Sequence, residues 1–578
     1  MGGVATLFWP IGGGMGLFVM NPSPSKQCIW EANIAGVAFW TLLALLALVV
    51  VVSGPFLTSD GPAHVSMAHF LLRAGDPAWP MLNRLYKVNP ILPPNALSDL
   101  LLAGLMWIVP PLTAEQIVQG LCLVSVPLAA RLTLRRLAPE SAWIALFFFP
   151  VALQRLFFLG LYNYCLSLTG ALLCVWGYLR FRERGSIASG VLLSGLLFGT
   201  CACQAAGWIE AVLAIATMAS IDAWLRWRAG EGVRAVIRQP AAVLSGMLPG
   251  IMLFGVYVLL GPGDGRIVYG PSPVERLTQV LRGDPFAPIG RTTAIVSLML
   301  GLTLMAVAAA GAIRFFLELP REYAGERRLR VATCMLPLVF LGFLLIIPDE
   351  AGGGWTHTLR AEVFPYVGLA LVCAVLPTWR AVKAVAAVAA AGGSVVAIGM
   401  AFWVQVADVP SALKEFNEAN DYIGPHCTIA PVLAQFKLDP ENTARLYYHP
   451  FFHIADRFEL RLDRPVLFSY IARLPIYLVE FRPNADPQRL LYGWQPSQRD
   501  THVTKLNLAR FEAESGIPVD YVLLWDVPTA SQSDRDSSIR AAIADARYRL
   551  VFKSSGNRME LYQRPGPGGC TKPFAPGS

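Results

Sequence analysis

Uncharged apolar runs recur along the chain at 34–53, 241–261, 292–313 and 384–406. Each holds roughly 20 residues, the length at which an α-helix crosses about 30 Å of hydrocarbon. Only 15% of the 578 residues are charged and 55% are apolar, where a soluble chain carries about a quarter charged. The runs therefore predict a polytopic α-helical membrane protein. Its spans, about eleven, are expected at 34–53, 113–131, 141–154, 162–179, 187–203, 206–224, 241–261, 292–313, 331–347, 359–376 and 384–406.

The net charge of +8 has one source. Residues 1–406 hold 27 Lys+Arg against 19 Asp+Glu, whereas residues 407–578 hold 20 of each. The excess falls in alternate short loops, on Arg131, Arg135 and Arg136, on Arg180, Arg182 and Arg184, on Arg226, Arg228, Arg234 and Arg238, on Arg314, Arg321, Arg327, Arg328 and Arg330, and on Arg380 with Lys383. This pattern obeys the positive-inside rule with a cytoplasmic N-terminus, and it excludes nucleic acid as the partner that explains the charge. Ala96–Val109, about fourteen residues between two Pro-Pro pairs and carrying Asp99, is too short to span and reads as an interfacial helix. Counting it as a span would put every basic loop outside.

Eleven spans place residues 407–578 outside. The expected plan is a tail (1–33), a membrane domain (34–406) with outer loops at 54–112, 262–291 and 348–358, an extracytoplasmic α/β domain (407–566) and a flexible tail (567–578). The first thirty residues are Gly-rich and lack a basic n-region, so they read as neither signal peptide nor span. In the last domain CTIAPVLA, RPVLFSYIA, PVDYVLLWD, YRLVFKS and RMELYQRP read as strands, between helix-like SALKEFNEAN and DSSIRAAIADA. No glycine-rich phosphate loop opens a βα unit there, so nucleotide binding has no support.

The polar residues worth attention gather on the outer side. Thr58-Ser59-Asp60-Gly61-Pro62-Ala63-His64 follows the first span, with Gly61 expected at the N-cap and Pro62 at N1 of a helix. A carboxylate at Asp60 either complements that helix dipole or serves as a general base or cation ligand. Asp349, Glu350, His357, Arg360 and Glu362 surround a Gly-Gly-Gly turn. Arg360 at membrane depth either snorkels to headgroups or holds a phosphate by paired hydrogen bonds. Glu210 and Arg155, the latter beside Asn163, read either as further substrate-binding candidates or as structural pairs inside the bundle.

His64, His69 and His357 lie far apart in sequence without ligand-type spacing. A divalent cation, Mg or Mn, is the cofactor left open, with Asp60, His64 and Glu350 as candidate ligands. Cys122, Cys165, Cys174, Cys334 and Cys373 are apolar filler, and Cys201-x-Cys203 is expected to be the same. Cys427 and Cys570 are the cysteines of the domain placed outside, where they are expected to form a disulfide.

The order of these features carries a resemblance. A first span is followed by Asp60, then by ILPPNALSDLLLAGL, then by Thr113-Ala114-Glu115 leading into the next span. Late in the membrane part come a Gly-rich loop and the Arg360, Phe364, Pro365 entry, and an α/β domain hangs behind the last span. This layout resembles the GT-C superfamily, integral-membrane glycosyltransferases that use polyprenyl-phosphate-linked sugars. The ILPPNALSDLLLAGL segment is similar to the Lys-Pro-Pro-Leu-Tyr-Tyr-type stretch of the protein O-mannosyltransferase and aminoarabinose-transferase branch, with Asn95 in place of Leu and Ser98 in place of an aromatic. The resemblance implies an inverting glycosyltransferase of a bacterial inner membrane, with Asp60 as base and Arg360 at the donor phosphate. His64, His357, Glu362, Glu210 and Arg155 are further candidates for binding substrate. It also implies a polyprenyl-phosphate-linked sugar donor, a lipid or glycan acceptor and contact with membrane lipid. The Trp-Trp-Asp motif of oligosaccharyltransferases is absent, which speaks against transfer to asparagine. Two other classes fit the same layout: a flippase for lipid-linked saccharides and a non-enzymatic assembly protein with an outer ligand-binding domain.

Overall fold

The computed structural model describes residues 26–566 apart from 262–266, 319–323, 352–353, 355, 435–447, 470, 475, 494–502, 504 and 528–533. Among these residues ten helices are long and apolar enough to cross a membrane. Helix α1 (Lys26–Ser53) is followed by a long loop holding α2 (Gly61–Arg73), α3 (Pro80–Leu85), strand β1 (Tyr86–Val88) and α4 (Leu97–Met106). The bundle continues through α5 (Pro111–Leu137), α6 (Tyr162–Arg184), α7 (Ile187–Cys203), α8 (Ala205–Arg228) and α9 (Val233–Leu260). After α10 (Pro273–Arg282) come α11 (Gly290–Glu318), α12 (Ala324–Cys334), α13 (Leu336–Ile346), α14 (His357–Ala361), α15 (Phe364–Val375) and α16 (Arg380–Trp403).

Three expectations about the bundle change in detail. The third span is wound largely as a 3₁₀ helix, Pro139–Phe147, with only short α-turns behind it at Phe148–Ala152 and Arg155–Phe158. Its Pro139 and Pro150 each remove a backbone donor, and its aromatic side chains are nearly all buried. The fifth expected span, α7, keeps its expected bounds but has only 17 residues, about 25 Å at helical rise; one face packs against α6, α8 and α9 while Ile187, Val191 and Phe198 stay exposed. The tenth expected span is broken between α14 and α15 at Glu362. The Arg-rich loops meet one another: Asp222 accepts from Arg182 at 3.2 Å and pairs with Arg328 at 3.3 Å, so loops expected on one side do share a side.

Behind α16, α17 (Val409–Asn417) leads into the C-terminal sheet, whose strands run β2 (Ile429–Leu433), β4 (Tyr521–Trp525), β6 (Met559–Gln563), β5 (Arg549–Lys553) in spatial order. Strands β2 and β4 are parallel, with Ile429 opposite Tyr521 and Leu433 opposite Trp525. All ten of their residues are buried, as continuous apolar strands in a parallel pair should be. Helices α18 (Leu508–Ser515) and α19 (Asp534–Asp545) follow the expected alternation. RPVLFSYIA does not form the expected strand. It makes a single bridge, Val466 to Ile429, and then a 3₁₀ turn, Ile471–Arg473. Cys427 carries a disulfide. Cys570, its expected partner, lies outside the described residues.

The first loop and the C-terminal segment are fastened together. Strand β1 pairs antiparallel with β3 (Val479–Phe481), joining Lys87 to Glu480 at 3.0 Å and stacking Tyr86 on Phe481. Buried Asp463 accepts from the Met81 and Leu82 N–H groups at 2.9 Å each, satisfying the free donors at the start of α3. Buried Glu459 accepts from Ser66 Oγ, from Tyr86 Oη at 2.9 Å and from the Val466 N–H at 2.6 Å.

A candidate active-site cavity between the first loop and the C-terminal domain

Helix α2 begins one residue earlier than expected, so Asp60 and not Gly61 stands at the N-cap. Its carboxylate does not cap the helix, although the Asp60 carbonyl accepts from the His64 N–H at 3.1 Å. The backbone there is fixed from the opposite side. Ser59 and Asp60 donate to the Phe158 and Leu159 carbonyls at 3.0 Å each. Behind them Gly160 lies at φ +83°, and a Cβ on it would sit 2.5 Å from the Gly61 nitrogen and 2.8 Å from that of Asp60. The approach to Asp60 is held by amide side chains: Gln119 exchanges two hydrogen bonds with the Phe56 backbone, and Gln405 accepts from Leu57. Asp60 is thus a buried carboxylate, 5% exposed, on an immobilised turn.

Asp60 and Arg360 line one cavity of about 190 Å³, with Ser59 and Thr356 beside them. The C-terminal domain supplies its roof through His449, Phe452 and Tyr477, and the His449 N–H donates to Ser59 Oγ at 3.1 Å. Arg360 enters on α14, which opens at Thr356 with φ +58°, an uncommon conformation for a β-branched residue and one that clusters at functional sites. Its Nη1 donates to His357 Nδ1 at 3.3 Å, and the opposite ring nitrogen, Nε2, donates to the Ala351 carbonyl at 3.2 Å. That arrangement fixes His357 as a neutral imidazole that orients the guanidinium. Tyr164 holds the Arg360 carbonyl at 2.8 Å, and Thr358 donates to Asp349.

The other candidates are placed differently. His64 does not line the cavity, and its ring bonds Asp99 rather than the Asp60 carboxylate, with Nδ1 at 2.7 Å. Burial pushes the imidazole down, but Asp99 first, then Asp60 and Glu115, outweigh it and leave its pKa raised. The surrounding carboxylates thus favour the charged form of this ring more than water does. His357 is not among the cavity's lining residues and contacts Arg360. Glu210 interacts electrostatically with Arg360 from α8, and Glu362 with Arg155 and Asp284. The expected neighbouring of Arg155 and Asn163 is not a pair, because the Asn163 amide is taken by Asn95 and Ser98 of the first loop. Asp60, His64 and Glu350 do not converge, and no group of three or more metal-ligating side chains occurs among the described residues.

Several residues were assigned no role from the sequence. Buried Glu115 accepts from Tyr162 Oη at 3.0 Å, Tyr162 contacts Thr58 and Gln119, and Arg457 of the C-terminal domain reaches Glu115 at 3.6 Å. The available signal was an ionisable residue one turn inside an apolar helix, which is costly unless paired. His449 and Tyr477 gave no such signal.

No family model matches the chain, and no curated protein matches it. Among solved structures it is similar to apo ArnT from Cupriavidus metallidurans, at 12% identity and a TM-score of 0.50, over 92% of this chain and all of that one. The likeness spans the bundle and the sheet-containing domain together. The chain is a multi-pass helical membrane protein whose fold is similar to that of ArnT.

Proposed function

We propose that the chain is a GT-C-type glycosyltransferase that moves a sugar from a polyprenyl-phosphate donor to an acceptor hydroxyl at the outer face of a bacterial inner membrane. The observation that carries this reading is the convergence of Asp60 and Arg360, 300 residues apart, on one roofed cavity. Arg360 offers the planar fork that suits a phosphate. Asp60 takes the proton from the acceptor hydroxyl as its oxygen attacks the sugar C1. The C1–O bond to phosphate breaks, polyprenyl phosphate leaves, and the anomeric configuration inverts. Asp60 is the cavity's one carboxylate among the described lining residues and shares that lining with a guanidinium, a donor set that suits a phosphate better than a divalent cation.

The test uses the full chain in liposomes with a panel of synthetic polyprenyl-phosphate sugars. Asp60→Asn is expected to lower transfer by about 10²–10⁴-fold, the usual worth of a general base, while donor binding persists. Arg360→Ala is expected chiefly to weaken donor binding. Full turnover by Asp60→Asn would remove the proposal. An assembly protein or flippase would be indifferent to losing that proton acceptor.

A further inference from the structure

A second cavity, about 680 Å³, opens at the far end of α2 on the face that carries the C-terminal domain. It shares no lining residue with the Asp60 cavity, and His69 lies nine residues beyond Asp60, about 13 Å along the helix. Three polar groups converge there. His69 is 6% exposed and lines the cavity, yet its Nδ1 has no hydrogen-bond partner among the described residues. Burial first, and Arg73 second, push this imidazole down to about 4, so it is neutral. Arg73 lies 5.2 Å from the Trp79 ring, its Nε is likewise without a hydrogen-bond partner, and its acidic neighbour is half-exposed Asp76 at 3.7 Å. Arg461 approaches from the C-terminal domain, on a loop held by the buried Asp463 that caps α3.

The remaining wall is apolar and turned outward: Trp107 and Ile108 are 80% and 82% exposed and immediately precede the span α5. Tryptophan at such a level marks the boundary between headgroups and hydrocarbon. Two arginines on the face opposite the Arg-rich loops run against the usual charge bias, and an anionic partner accounts for them.

We infer that this cavity holds the anionic headgroup of a membrane lipid, with the phosphate between Arg73, Arg461 and His69 and the acyl chains running down past Trp107 and Ile108. The site does not depend on the transfer reaction. Its effect is to anchor the free end of α2, and thereby the C-terminal domain, to the membrane surface.

Native mass spectrometry of the detergent-purified full chain with phosphatidylglycerol or phosphatidylcholine tests the site directly. Phosphatidylglycerol should be retained preferentially. Arg73→Gln combined with Arg461→Gln should lower that preference by about 30-fold, as expected for losing two cations beside an anionic headgroup. Arg73→Lys should keep most of it, and His69→Phe, which fills the same space without a donor, should weaken it. If the double variant fails to fold, the exposed Arg461→Gln alone should still reduce retention. Equal retention of both lipids, unchanged preference in the variants, or complete displacement by inorganic phosphate would each overturn the inference.

Discussion

Gly160→Ala tests whether the Asp60 turn is built as described. At φ +83° an L-residue is strained by about 1–2 kcal/mol. The new methyl would also stand 2.5 Å and 2.8 Å from the backbone nitrogens of Gly61 and Asp60. Those atoms cannot swing aside, because both strands of the contact are hydrogen-bonded, and forcing such overlap costs about 1–3 kcal/mol more. The total is about 2–5 kcal/mol. Gly54→Ala supplies the internal control: its φ is +67° and nothing lies within 4 Å of the added carbon, so strain alone applies. Thermal unfolding of both variants in one detergent at one scan rate should place Gly160→Ala clearly below Gly54→Ala, and Gly54→Ala slightly below the parent. In a transfer assay Gly160→Ala should also lose on the order of 10²-fold, the cost of misplacing a reacting group by about 1 Å. Equal unfolding temperatures for the two alanine variants would refute the close contact and with it the fixed position of Asp60.

Buried Glu459 has its pKa raised to about 8 by desolvation first and by Asp456 second. The folded state thus holds a proton that the unfolded chain releases from about pH 4.5, so stability should fall as pH rises from about 5 to 8 and level off above, by up to a few kcal/mol; unfolding scans across that range check the slope, and Glu459→Gln should flatten it. Non-reducing peptide mapping should recover Cys427 joined to Cys570, and a link to Cys28 would disprove that pairing. A cysteine introduced by Arg327→Cys should resist a membrane-impermeant maleimide added to intact cells, since labelling there would invert the sidedness.

The spans were legible because hydrocarbon imposes a length and a composition on every crossing, whatever its neighbours. Asp60 and Arg360 stood out for a related reason, being ionisable groups at the edge of apolar runs where each needs an explanation, and both line one cavity. What escaped was pairing across distance. His64 has Asp60 four residues away, yet bonds Asp99 of another helix, because α4 packs against α2 and no local periodicity encodes that. The roof was hidden more deeply. His449, Phe452 and Tyr477 sit in irregular backbone held by three-residue strands and 3₁₀ turns, elements too short to show a period. RPVLFSYIA has the composition of a strand, but after Val466 it leaves the ladder beside β2, and composition cannot foresee where a partner strand ends.

The hydrogen bond from His449 to Ser59 joins residues 390 apart in sequence, which makes the cavity a matter of timing as well as geometry. At a synthesis rate of about 5–20 residues per second, its two halves leave the ribosome about 20–80 s apart. The Phe158 and Leu159 carbonyls that grip Ser59 and Asp60 arrive about 100 residues after them, within about 5–20 s. A newborn chain therefore acquires a shaped acidic turn early and a closed chamber late. In between, the floor must survive uncovered at the membrane surface, held by its own helices.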